Sequence, residues 1–360
     1  MKKERLLGPD ILRAIAICLV MATHALNYRS SYLQTDLRSP IWTAAVFVRF
    51  TVVLCVPLFL LLSGYLLAFR KPNRRHFTSI ITVMLSWLVL TVIVNLLEWN
   101  LFAPTAVSLP RAILNIFNFN YGYTWYVEMY LCLFLVIPYI NAALENLSRR
   151  ANLAFVAVVC ALTLLPAVGK SFIVTGIWFN AFPEQFENMY CLAYYLIGAY
   201  IARYKPCPSR ILCICIFFGT IAAETVLCYF SSSTEYAWWL FYPYSAATHA
   251  IAATALFLLL YGVKKLPRPF AFVIREISVC SFEMYLIFCF TDRLFYSPES
   301  LSVTIPALSR LTSVSFALAI VSNFLCTYIL ARISRLLLVP LSNVLRRIAQ
   351  GKPRELTSDQ

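Results

Sequence analysis

Arg13 and His24 stand eleven residues apart inside an apolar stretch near the start of the chain. On a helix turning 100° per residue, eleven steps bring a side chain back to within about 20° of its first direction and advance it about 16 Å. One face of one helix therefore presents a permanent cation with a planar fork and, further along, the side chain best suited to exchange a proton near neutral pH. An ionisable group in hydrocarbon is costly enough to mark a functional site, and Asp10, one turn before Arg13, is its natural partner. The competing reading is structural: an arginine that snorkels and a histidine held in packing.

Other groups with chemistry lie downstream. The segment Arg70-Lys-Pro-Asn-Arg-Arg-His76 places Arg70, Lys71, Arg74 and Arg75 within six residues. Such a cluster anchors a membrane face against anionic lipid, and it equally suits a phosphate-rich carrier such as coenzyme A. In Val56-Pro-Leu-Phe-Leu-Leu-Leu-Ser-Gly-Tyr65, Pro57 withholds one backbone donor and Ser63-Gly64 permits close helix approach, which packing alone would explain. Glu128 in Thr124-Trp-Tyr-Val-Glu-Met-Tyr130 and Glu283 in Ser281-Phe-Glu-Met-Tyr285 add carboxylates near or within apolar stretches, with Glu224 and His249 as further candidates. Each either takes part in chemistry or pairs with a buried cation. Trp99, Phe102, Phe117, Phe119, Tyr121, Tyr123, Trp125 and Tyr126 crowd one region; they read as an interfacial aromatic belt, and the same rings would stack on a sugar.

These groups must be positioned by membrane helices. The chain is 61% hydrophobic and 13% charged over 360 residues, and its apolar residues come in long blocks without strand-like alternation. Blocks near 10–25, 41–69, 78–97, 123–140, 151–168, 188–201, 211–230, 246–263, 278–290 and 309–331 predict an all-α polytopic bundle of about ten transmembrane helices. The second block exceeds what a bilayer needs, so its first half tilts or lies at the interface. With the N-terminus placed inside, most of the 30 basic residues fall on the cytoplasmic side, in clusters at 2–5, 70–75, 149–150, 203–210, 264–275 and from Arg332 onward. Both termini are then cytoplasmic. The formal charge of +14 is largely topological and gives no reason to propose nucleic acid as a partner.

The basic start and apolar run of residues 1–25 mimic a signal peptide, but Arg13 interrupts the run and no small-x-small cleavage site follows, so it stays as the first span. Twelve cysteines are scattered mostly through apolar spans and read as small core residues. Cys213 and Cys215 face opposite ways on one helix without clustered partners, which argues against a metal site. The longest connections, 98–122 and 169–187, are rich in aromatic residues and proline and are expected outside. No convincing internal repeat is visible, which weighs against an inverted-repeat transporter. Residues 333–350 alternate basic and apolar positions and are expected to form an amphipathic helix on the cytoplasmic leaflet, kinked at Pro340.

Taken in order, Asp10-Ile-Leu-Arg-Ala-Ile-Ala with His24, Val56-Pro-Leu-Phe with Ser63-Gly64-Tyr65, Trp125-Tyr126 with Pro138, Tyr194-Tyr195-Leu-Ile-Gly198, and Ser281 with Tyr285 resemble the acyltransferase-3 family of integral membrane acyltransferases. The likeness is to the stand-alone bacterial O-acetyltransferases of surface polysaccharides and runs through essentially the whole chain. It implies transfer of an acyl group, usually acetyl, from cytoplasmic acyl-coenzyme A to a hydroxyl of a lipid-linked or extracytoplasmic glycan. It makes the arginine and histidine of the first span, here Arg13 and His24, essential. A paired-arginine motif after the second span is matched only loosely by Arg70, Lys71, Arg74 and Arg75. Where relatives often carry histidines, this chain has Tyr123 and Phe288.

The expectation is thus a multi-pass enzyme of the bacterial cytoplasmic (inner) membrane, with residues 1–332 as the acyltransferase domain and 333–360 as a basic helix and tail. His24, Arg13 and Asp10 are its catalytic group, Arg70, Lys71, Arg74 and Arg75 hold acyl-CoA, and Glu128, Trp125, Glu283 and Tyr285 serve the acceptor or the polar core. Acetyl-CoA or another acyl-CoA is the donor, with no bound cofactor and no metal; membrane lipid and a glycan or lipid-linked saccharide are the other partners. His24 either removes the acceptor hydroxyl's proton or carries the acyl group itself. The competing class is a polysaccharide exporter or proton-coupled transporter using Arg13 and His24 as a relay. A membrane scaffold would leave both residues dispensable.

Overall fold

A computed structural model of the chain describes residues 7–28, 39–102, 108–117, 123–171, 183–232, 243–296 and 313–351. Lys2, Lys3 and Arg5, the loop aromatics Phe119 and Tyr121, the start of the last apolar block at Ser309, and the tail after Gly351 lie outside the described residues. Every described regular element is helical: α1 (Leu7–Tyr28), α2 (Pro40–Val52), α3 (Cys55–Leu67), α4 (Arg74–Ser79), α5 (Ile81–Phe102), α6 (Leu109–Phe117), α7 (Trp125–Glu145), α8 (Arg149–Ser171), α9 (Tyr190–Tyr204), α10 (Arg210–Ser231), α11 (Ala247–Leu260), α12 (Arg268–Tyr296) and α13 (Ser313–Ala349), with a 3₁₀ turn over Glu184–Met189 before α9.

Seven described segments are long and apolar enough to cross a membrane: α1, α2 with α3, α4 with α5, α7, α8, α10 and α13. Three of the ten expected blocks fall outside that set. With 15 and 14 residues, α9 and α11 are short; α12 is long but carries Arg275, Glu276, Glu283, Asp292 and Arg293 along its length. The connection expected over 98–122 holds helical structure, since α5 runs on to Phe102 and α6 spans Leu109–Phe117. The last helix is one element from Ser313 to Ala349 with Pro340 inside it, so the basic stretch 333–350 continues the preceding helix. Its 37 residues at 1.5 Å each reach about 55 Å, well beyond a hydrocarbon layer of roughly 30 Å.

The helices pack as two units, one made of residues 1–69 and 143–279, the other of 70–142 and 280–360. In the first, the long second block breaks at Val53–Leu54, because Pro57 offers no N–H to the Val53 carbonyl; the Cys55 thiol turns to that oxygen instead, at 3.7 Å. Beyond the break, α3 lies against α9. A β-carbon at Gly64 would stand 2.1 Å from the Tyr195 carbonyl oxygen, and one at Gly198 2.1 Å from that of Leu61. Only glycine permits that approach, as the Ser63-Gly64 pair suggested. Tyr194 and Tyr195 are fully buried on the same helix, and the Tyr194 hydroxyl donates to the Tyr244 carbonyl at 2.7 Å.

In the second unit α5 packs on α13 and α6. A buried polar seam joins α12 to α13: Asn323 donates to Asp292 Oδ1 at 2.6 Å, and Thr291 and Thr327 share a 2.6 Å hydrogen bond. Such pairs satisfy polar groups that lipid could not.

Candidate active site

The first turns of α1 put Asp10 and Arg13 on one side of the helix, three residues apart. Their side chains approach to 3.7 Å, Arg13 Nη1 to Asp10 Oδ1, and Ser278, on α12, completes the group. Arg13 Nη1 donates to Ser278 Oγ at 3.2 Å and Ser278 Oγ donates to Asp10 Oδ1 at 2.8 Å. Asp10 is buried at 2% exposure, whereas the Arg13 side chain keeps 29%. The carboxylate and the hydroxyl therefore fix the base of the guanidinium while part of it remains accessible. A negative side chain in the first turn of α1 also suits the positive end of the helix dipole.

About three turns further along α1 is His24, half-buried. One turn beyond it, at Asn27, the Arg49 guanidinium from α2 meets the same helix. Arg49 is itself buried at 2% exposure and donates from Nη1 to Asn27 Oδ1 at 2.6 Å, which ties α2 to the last turn of α1. The one cation inside the apolar block 41–69 was the sequence signal for this residue. No local signal marks Ser278, which lies 265 residues from Arg13.

The same unit buries a second polar pair. Glu224 of α10 and His249 of α11 are both fully buried, with Glu224 Oε1 3.4 Å from His249 Nε2. Thr248 donates to the same carboxylate oxygen, and His249 Nδ1 lies 3.1 Å from the Pro243 carbonyl. The rings of His249 and Phe50 are 6.5 Å apart.

The remaining candidates belong to the second unit. Glu128, in the first turn of α7, accepts from Thr124 Oγ1 at 3.3 Å. Trp125 meets Tyr126 edge to face, and Tyr126 in turn meets Tyr285, at 6.1 and 5.9 Å. Tyr285 Oη donates to the Tyr123 carbonyl at 2.5 Å, which joins α12 to the start of α7. Glu283, 1% exposed, takes a 3.1 Å hydrogen bond from Arg335 Nη1 of α13. Glu283 is thus held in an ion pair, and Tyr285 sits within a cluster of aromatic rings.

Arg70, Lys71, Arg74 and Arg75 are all exposed. Asn73 caps α4, its side-chain oxygen accepting from His76 N at 2.9 Å. His76 departs from its basic neighbours: it is buried, stacked on Phe134 at 4.0 Å, with Nε2 3.0 Å from the Phe134 carbonyl. Asn141 fixes the Arg70 carbonyl at 3.0 Å, so the segment is anchored at both ends while its cations face outward. Among the described residues no group of three or more His, Cys, Asp or Glu could hold a metal ion.

A family model described as an acyltransferase domain matches residues 6–332. Comparisons with curated proteins and with solved structures return no match. The match takes in α1 with Asp10, Arg13 and His24, the basic segment after α3, and the aromatic and carboxylate groups of α7 and α12. Over nine-tenths of its length, then, the chain belongs to the acyltransferase-3 family and is a multi-pass membrane acyltransferase.

Proposed function

We propose that the protein transfers an acyl group, most simply acetyl, from cytoplasmic acyl-CoA to a hydroxyl of a lipid-linked or extracytoplasmic glycan in a bacterial cytoplasmic membrane. The observation that carries this reading is α1 itself: one membrane helix bearing a clamped arginine and, eleven residues on, a histidine beside a second buried arginine. Both termini lie in the cytoplasm and about ten segments cross.

His24 takes the proton of the acceptor hydroxyl as its oxygen attacks the thioester carbonyl, the carbon–sulfur bond breaks, and coenzyme A leaves as the thiol. In the alternative order the imidazole nitrogen is acylated first, and the acceptor oxygen displaces it. Arg49 supplies positive charge beside His24 for the oxyanion that either route forms. Arg13, held by Asp10 and Ser278, orients an anionic part of the donor. The outward-facing Arg70, Lys71, Arg74 and Arg75 take its phosphates. Trp125, Glu128, Tyr285 and Glu283 shape the polar and aromatic surroundings of the acceptor.

Transfer of radiolabelled acetyl from acetyl-CoA into the glycan fraction, in membranes with and without the protein, tests this. Label should appear only with the protein. Absence of label from both acetyl and succinyl donors, with acceptor glycan present, would overturn it. The buried Glu224–His249 pair favours a second reading, since a carboxylate and an imidazole in contact can exchange a proton within a membrane bundle. Proton-coupled movement of an unmodified glycan would then be seen without any acyl donor.

A further inference from the structure

The end of α13 carries Asn343, Arg346, Arg347 and Gln350, spaced so that they share one side of the helix. Together these four line a polar cavity of about 340 Å³, and none of these described lining residues is acidic. Two adjacent guanidinia in one cavity repel each other unless an anion stands between them.

A third guanidinium, that of Arg74 on α4, is not in this lining but reaches the same helix end. Arg74 Nε donates to the Ala349 carbonyl at 2.9 Å, and Gln350 Nε2 donates to Thr78 Oγ1 at 2.9 Å. Gly351 ends α13 in the left-handed conformation, φ 69°, and a β-carbon there would lie 3.5 Å from Arg74 Nη1. The helix terminus is thus fastened to the basic segment that begins at Arg70. At a C-terminus the helix dipole disfavours an anion by about half a charge. Three guanidinia more than offset that, and Arg74 already sits on a terminal carbonyl. Their planar forks match the oxygens of phosphate, with Asn343 and Gln350 as neutral donors beside them.

We propose that Arg346, Arg347 and Arg74 form a phosphate-binding pocket at the junction of α4 and α13. Its occupant is either the nucleotide end of the acyl donor or a phospholipid headgroup. The nucleotide source rests on the acyl-CoA reading above; the pocket itself does not.

The test uses the full-length protein in nanodiscs of phosphatidylcholine alone and with phosphatidylglycerol added. Adenosine 3′,5′-bisphosphate, the unreactive nucleotide end of the donor, is titrated into the wild type and Arg346→Gln/Arg347→Gln. Retention of phosphatidylglycerol is measured in parallel. The expected result is a loss of bisphosphate affinity on the order of tenfold per arginine with melting temperature unchanged. If only phosphatidylglycerol retention falls, the pocket stands and its ligand is the lipid. Bisphosphate binding by wild type and variant alike, with lipid retention unchanged, overturns the pocket while leaving the donor reading intact. A wild type that ignores bisphosphate, with a variant that loses lipid, does the reverse.

Discussion

Ser278 holds two charges in register with one hydroxyl, accepting from Arg13 and donating to Asp10. Ser278→Ala should cost about 1–3 kcal/mol, since it strips a partner from a buried carboxylate. Ser278→Thr, which keeps the hydroxyl, should restore most of it; thermal melting in detergent reads both. The Glu283–Arg335 pair gives a second residue-scale expectation. Arg335→Gln leaves a buried carboxylate without its cation, and because the arginine side chain is 30% exposed water offsets part of the loss, leaving about 1–3 kcal/mol. The double variant Glu283→Gln/Arg335→Gln should be more stable than Arg335→Gln alone, and additive losses would show that the two side chains do not act as a pair.

At the scale of elements, the contact of α3 with α9 depends on two glycines. Gly64→Ala and Gly198→Ala each place a methyl group against backbone oxygen at 2.1 Å, so the helices must part and folded yield should fall sharply. Gly219→Ala on α10 meets nothing within 4 Å and should be neutral or stabilising by up to ~1 kcal/mol. Size-exclusion profiles of the three variants check this, and equal behaviour would sink the packing argument. The sequence itself carried the Ser63-Gly64 approach, the Asp10–Arg13 spacing and the role of Pro57, because each is set within a few residues. Arg49 was visible as a lone cation in an apolar block, but its place beside His24 depends on how α2 crosses α1. The bridging role of Ser278, the pairing of Arg335 with Glu283 and the fastening of α13 to Arg74 join residues far apart in the chain. No local spacing encodes them. Short α9 and α11 and charged α12 do not stand out as spans by length and composition, so their expected crossing rests on the placement of the basic residues around them.

For the whole molecule, seven long apolar segments among the described residues, together with the acyltransferase-domain match, make this a multi-pass membrane protein, and the placement of lysine and arginine predicts its orientation. Reporter fusions at Lys71, at Lys205 and after Gln360 should all register the cytoplasmic side, while one after Lys170 should register the outside. Any reversal among them would undo the placement of the basic segment next to a cytoplasmic donor.

The central claim is that His24 performs the transfer, and one comparison tests it most directly. Membranes holding equal amounts of inserted wild type and His24→Ala are supplied with labelled acetyl-CoA, and label in the glycan is counted. The variant should fall by at least ~100-fold, the usual scale for losing a general base, with insertion unchanged. Label equal to wild type from His24→Ala would contradict the assignment of this histidine.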